Sequence, residues 1–393
     1  MPAHHRHTRW GLAVAAAVAI AACKDMTGPQ AHLSNPAGLS SDLQTVSGVL
    51  LSPTFQSFSK VSDTTTGSPV AAPSRIGALL RAAPITPPRT SSTLDVNAAA
   101  RLLALRRSAA VFSGAISASV VPAPLLGRTF VWDVTTHAYV DDPSATPAAA
   151  SDRVRIILYA VNPVTDSIVE NPLTPTGFVD LVDESTTAPA VDKLHVIVKD
   201  GTPASPGPIT YADYTVSGQV TGNPATAFTA TAVGFVSDGT HTLTFGATFA
   251  ATQLDTDNPD GQIDITWDLD NPAIHIELHE TVVLSDANHI TFTLNGFSIT
   301  HGAETVSMHG VILVTLLSQD TQSVTIHLQI DVNDVPWTRM SGNTDTGITV
   351  LHNDGTQLSA AEGQAFLDLF ALPGAIEFVT QSLFGPCQSL MGA

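Results

Sequence analysis

Positive charge is scarce in this chain and almost disappears from its second half. Of 16 Lys and Arg residues only Arg339 lies beyond residue 199, against 21 Asp and Glu from residue 200 onward. So acidic a surface repels phosphate backbones and anionic headgroups, which argues against nucleic acid as a partner. Cysteine is nearly absent as well: Cys23 and Cys387 are the only two, so no disulfide framework is expected. Between Pro224 and His352 the only Trp or Tyr residues are Trp267 and Trp337, too few for the two aromatic girdles of a membrane-spanning barrel. The sequence also lacks a Gly-rich phosphate loop, an HExxH helix and a Gly-x-Ser-x-Gly elbow.

What is abundant is period-two alternation. Leu243, Phe245, Ala247, Phe249 and Ala251 alternate with small or polar residues. So do Ile263, Ile265, Trp267 and Leu269, and Val324, Ile326, Leu328, Ile330 and Val332. A strand places each such set on one face, whereas a helix would scatter it. Short polar turns such as Asp238-Gly239 and Asn271-Pro272 separate the runs, so successive strands are antiparallel neighbours. In the stretch from His289 to His301 the apolar phase slips by one at Asn295-Gly296, which predicts a β-bulge with the glycine in the left-handed region. Counting from Arg128, about eleven or twelve strands emerge.

At roughly 4.8 Å per strand, twelve strands make a sheet about 58 Å wide, and a 14-residue helix is only about 21 Å long. The expected fold is therefore mainly β. A large antiparallel meander curls into a barrel-like or sandwich form, apolar face inward, with an N-terminal helix and short C-terminal helices packing on it. Ser359 and Glu362 form a capping box for the first C-terminal helix, and a second is expected from Pro373.

At the N-terminus, His4, His5, Arg6, His7 and Arg9 precede an apolar run from Trp10 to Ala22 that ends in Ile20-Ala21-Ala22-Cys23. A short apolar segment behind basic residues has the anatomy of a secretory signal. Its end resembles the lipobox of bacterial lipoproteins, and the resemblance covers about the first 25 residues. It implies cleavage before Cys23, acylation of that Cys and, with Lys24 following, delivery to the outer membrane, facing the periplasm or the exterior.

The expected divisions follow from composition. Residues 1–22 are the signal, 23–88 a Ser/Thr/Pro-rich tether, 89–125 a helical lead-in, 126–352 the β domain and 353–393 the C-terminal helices. The lead-in helix starts at Ser92 and carries Leu94, Ala98, Leu102 and Leu105 on one stripe. Ser57-Phe58-Ser59-Lys60 has the SxxK spacing of serine enzymes that act on penicillin, but no Lys-Thr-Gly follows downstream.

Three groups of residues are candidates for a site. Asp255, Asp257, Asp260 and Asp264 have the oxygen density of a calcium loop, although Pro259 displaces Asp260 by one; calcium is the one cofactor this suggests. His275, Glu277 and His279 lie on the polar face of one strand. Folding about Asn271-Pro272 sets them opposite Asp268, Thr266 and Asp264, which suits ordinary cross-strand pairing, with a Zn²⁺-type site as the sharper alternative. A protonated His275 or His279 beside an Asp is expected to have a raised pKa. Finally, Phe228, Ala230, Gly234, Phe245 and Phe249 point inward and leave room for an apolar small molecule, unless the C-terminal helices fill it.

The expected function is that of a non-catalytic lipoprotein tethered to the outer membrane. Its partners are the membrane through the lipid, and an apolar ligand or envelope component for its β domain. The alternatives are a metal-dependent enzyme on the His/Asp face and a transmembrane β-barrel.

Overall fold

The computed structural model describes residues 31–50 and 120–372, apart from residues 122, 146–148, 163–164, 166, 188–189, 202–207, 223–224, 287, 318–321 and 371. The signal, Cys23, the Ser57–Lys60 motif, the helix at Ser92, the second C-terminal helix and Cys387 lie outside the described residues.

The chain is built on one large sheet. Its first strands, β1 (Thr129–Asp133) and β2 (Ala138–Asp141), form a hairpin, and β3 (Arg153–Tyr159) returns along the other side of β1. That return makes β1 and β3 parallel through Thr129↔Arg155 and Phe130↔Ile156, the one departure from an antiparallel plan. A small separate hairpin, β4 (Val161–Asn162) with β5 (Ser167–Ile168), precedes β6 (Pro175–Asp183), which pairs with β3. A two-residue strand, β7 (Thr186–Thr187), leads into β8 (Ala190–Asp200), which pairs with both β6 and β7.

From β8 onward each strand pairs with the next in sequence, as short polar turns require. These are β9 (Thr210–Thr221), β10 (Ala227–Ser237), β11 (Thr242–Thr252), β12 (Asp260–Leu269) and β13 (Ile274–Leu284). They continue as β14 (His289–His301), β15 (Glu304–Leu316), β16 (Gln322–Val332), β17 (Val335–Asn343) and β18 (Gly347–His352). The sheet ends at β2 on one side and β18 on the other, so hydrogen bonding does not close it among the described residues. More strands exist than the alternation counted, because strands of two to five residues are too short to show a period.

Along β12 the burial alternates residue by residue, with Ile263, Ile265, Trp267 and Leu269 inward and Gln262, Asp264, Thr266 and Asp268 outward. A transmembrane barrel would turn its apolar band out to lipid. Here the apolar side chains join a single core with residues of two helices, and the outward face is Thr, His and Asp.

The first of those helices was not visible in the sequence. Residues 23–88 read as a tether because Ser, Thr, Pro and Gly dominate them, yet Pro36–Leu50 within that span forms α1. Leu39, Leu43, Val46 and Val49, spaced three and four apart, make one buried stripe of it. Asn35 caps the start, its side-chain oxygen accepting the Gly38 N–H at 3.0 Å. The second, α2, covers residues 360–370. It opens with the expected capping box: Ser359 donates its N–H to Glu362 Oε2 at 2.9 Å, and Glu362 donates its N–H to Ser359 Oγ at 3.3 Å. Phe366 and Leu369 are buried, and the rings of Phe366 and Phe370 stack 5.9 Å apart.

The contacts of α1 and of His32 just ahead of it fit a curled sheet. The helix packs on β10 and β11, Asp42 reaches His301 at the end of β14, and His32 meets His352 at the end of β18. Flat, β10 and β18 would stand about 38 Å apart, a span that the 15-residue helix, about 22 Å long, does not cover without the residues ahead of it. Two glycines help the sheet bend. A Cβ at Gly234 would run into the Asp213 carbonyl, and one at Gly310 into the His327 carbonyl; both residues hold positive φ in mid-strand. On the outer face, Arg155 grips Asp180 with two hydrogen bonds of 2.7 and 2.8 Å and lies 4.6 Å from the centre of the Phe178 ring.

Because Leu39 is fully enclosed, Leu39→Ala is expected to lower the unfolding free energy by about 2–4 kcal/mol. Urea denaturation checks this, and a loss of only about 0.5 kcal/mol or less would place α1 outside the folding unit.

Candidate functional site on the outer face of the sheet

The turn at Asn271-Pro272 fixes the register of β12 and β13 as the sequence predicts, with Asp268↔His275, Thr266↔Glu277 and Asp264↔His279 opposite one another. His275 is held at both ring nitrogens, Nδ1 by Asp268 Oδ1 at 2.6 Å and Nε2 by Glu277 Oε1 at 3.1 Å. His279 Nδ1 is paired with Asp264, whose other oxygen accepts the Gln262 side-chain amide at 2.8 Å. All of these groups face water and are partly exposed.

The Asp268 hydrogen bond raises the His275 pKa above its ordinary value; partial burial opposes the shift and Glu277 adds to it. A raised pKa means that the pair stabilises the fold below the unfolded imidazole value of about 6.5, and that this contribution fades as pH climbs through the folded value.

The bulge falls where the apolar phase slips. Asn295 is paired in neither the β13 nor the β15 ladder, although its side-chain amide donates to Thr281 Oγ1 at 3.3 Å, and the pair Asn295-Gly296 stands opposite the single residue His309. Its backbone differs from the expectation, for Gly296 is not in the left-handed region. The extra residue is accommodated by leaving the exposed Asn295 out of both ladders, so no reversed backbone is needed. The bulge also shapes the surface. Gly296 gives His279 no side-chain neighbour on β14, and Ser298 and Ser307 beyond it are small. The result is an open groove of about 400 Å³ across β12–β15, with Asp264, Thr266, Glu277, His279, Ser298 and Ser307 among its lining residues.

The calcium set does not assemble. Asp260 and Asp264 lie four residues apart on one strand, a separation of about 13 Å, too far to share one ion. Asp264 is drawn to His279, and Asp260 accepts the Gln253 amide at 2.8 Å. His275 and His279 are separated by the same four residues. Among the described residues no three His, Cys, Asp or Glu side chains converge as a metal's ligands must.

The inward set is filled. Phe228, Ala230 and Phe245 are buried, Phe249 tilts against Phe228 at 6.4 Å, and Gly234 faces Tyr214 across β9–β10. The small residues Ala230, Ala232, Ala247 and Ala251 lie on β10 and β11, the strands where α1 packs.

No protein-family model, curated protein or solved structure matches this chain. Its function has to be read from its own residues.

Replacing Asp268 by Asn is expected to return the His275 titration toward its ordinary range in an NMR experiment. Solvent screens so exposed a pair, so the accompanying loss of stability near pH 5 should be no more than about 0.5 kcal/mol. An unchanged His275 titration in Asp268→Asn would refute the assigned cause.

Proposed function

We propose that this chain is a non-catalytic envelope lipoprotein. It is acylated at Cys23 and held at the outer membrane by that lipid, with its β domain in water. There the polar groove across β12–β15 is the surface offered to a hydrogen-bonding envelope partner, and the interior serves as structural core.

The observation that carries this reading is the direction of the apolar face. It is turned inward onto α1 and α2, and the outward face is Thr, His and Asp, so the domain's attachment to a membrane falls to the run ending in Ile20-Ala21-Ala22-Cys23. The non-catalytic reading is supported by the state of the two imidazoles. His275 is engaged at both nitrogens and His279 at one, on an open surface that does little to exclude water from a reaction.

Mass spectrometry of the mature protein is expected to find an N-terminal acylated Cys23. Cys23→Ser should move the protein from the membrane to the soluble fraction. A mature chain that begins elsewhere and carries no lipid would sink the proposal.

A further inference from the structure

The polar contacts that tie α1 to the rim of the sheet nearly all involve a titratable side chain. Asp42 accepts from His301 Nε2 at 2.6 Å. Just ahead of the helix, Ser34 donates its N–H to Glu304 at 2.8 Å. Ser40 donates its hydroxyl to Asp368 on α2. In turn α2 faces β18 through Glu362 and His352, 3.4 Å apart, and the ring of His32 stands edge-on to that of His352 with centroids 6.2 Å apart. Four carboxylates and three imidazoles thus meet at one rim, and no Lys or Arg among the described residues bridges any of the four.

Among the described residues imidazole is therefore the local source of positive charge, and its charge changes between about pH 5 and 8. Protonated, His301 and His352 make charge-assisted contacts, roughly twice as strong as neutral ones. Deprotonated, they no longer balance the charges of Asp42 and Glu362. Burial pushes the Glu362 pKa up, but the Ser359 hydroxyl and N–H together with His352 outweigh it and hold the carboxyl below its ordinary range. That carboxylate stays ionised across the imidazole window, and its own contribution is lost only in stronger acid.

The helix being held is weak by itself. Fifteen residues containing Gly38, Gly48 and several Ser and Thr are too few for a stable isolated helix, so α1 persists only while docked. The strands it packs on, β10 and β11, carry the small buried side chains of Ala230, Ala232, Ala247 and Ala251, an apolar trough.

We propose that the His301–Asp42 and His352–Glu362 pairs form a pH-operated latch, which holds α1 over β10 and β11 in mild acid and loosens it toward alkaline pH, uncovering the apolar trough. The latch does not depend on the lipid anchor.

Hydrogen exchange of the full-length protein, followed by mass spectrometry and corrected for intrinsic chemistry, tests it at about pH 5.5 and about pH 8. The readout is protection in residues 36–50 relative to that in β13. This ratio is expected to fall about fivefold at the higher pH, with a parallel rise in binding of an apolar fluorescent dye. His301→Gln keeps a neutral donor and should show the lower ratio already at the acidic pH, with a flattened pH response. His289→Gln, whose partner Asp286 sits in the turn between β13 and β14, should respond like the wild type. If His301→Gln fails to fold, Asp42→Asn removes the same attraction from the helix side. A wild-type ratio that does not change with pH overturns the latch, as does a full pH response in a His301→Gln, His352→Gln double variant.

Discussion

Everything in this fold depends on covering one face of one sheet. Strands β8 to β18 present a continuous inward surface of Val, Ile, Leu and Phe, and leaving such a surface in water would forfeit most of the free energy available for folding. Curling brings part of that face toward itself, and the two helices take up what remains. The fit is local. Where the strands carry Ala230, Ala232, Ala247 and Ala251, a helix approaches; where they carry Trp267, Phe292 and Phe297, large side chains occupy the interior themselves.

The shortage of Lys and Arg sets the second theme. In most acidic domains fixed cations balance buried or clustered carboxylates; here imidazoles stand in for them. His137 meets Glu170, His195 meets Asp213 and Glu184, His275 meets Asp268, His279 meets Asp264, His289 meets Asp286, and the two rim pairs continue the pattern. A carboxylate balanced by Arg is balanced at every physiological pH, whereas one balanced by His is balanced conditionally. The fixed pairs, Arg155 with Asp180, Arg153 with Asp152, Arg128 with Asp141 and Lys193 with Glu184, lie in the half of the chain where cations are present.

Much of this was legible in the sequence, for physical reasons that can be named. A strand's side chains alternate with a period of two, so the apolar sets of β11, β12 and β16 could be read directly, and a tight turn fixes register, so the opposition of His275 and Asp268 followed from Asn271-Pro272. The capping box of α2 was legible because both of its hydrogen bonds come from residues three apart. Helix α1 was not. Its Leu39, Leu43 and Val46 do recur at helical spacing, but Gly, Ser and Thr between them depress helix propensity, and only tertiary contact decides the matter. The groove escaped for a different reason: it is made by what is missing, a side chain at Gly296 and bulk at Ser298 and Ser307, and small residues leave no periodic trace. Asp260 and Asp264, close in sequence, are carried apart because they lie along an extended strand.

The position of α1 in the chain also shapes how the molecule must assemble. Each strand from β9 onward meets a neighbour only a short turn away, so the meander closes through small loops. The helix precedes every described strand in the chain, yet Ser34 just ahead of it finds Glu304 270 residues downstream and its own Ser40 finds Asp368 328 downstream. Contacts of such sequence separation carry the largest loop-closure entropy and form only after local ones have shortened the path between them. The first of the described elements in chain order is thus among the last to find its place, and until it does so the β10–β11 face lacks its cover.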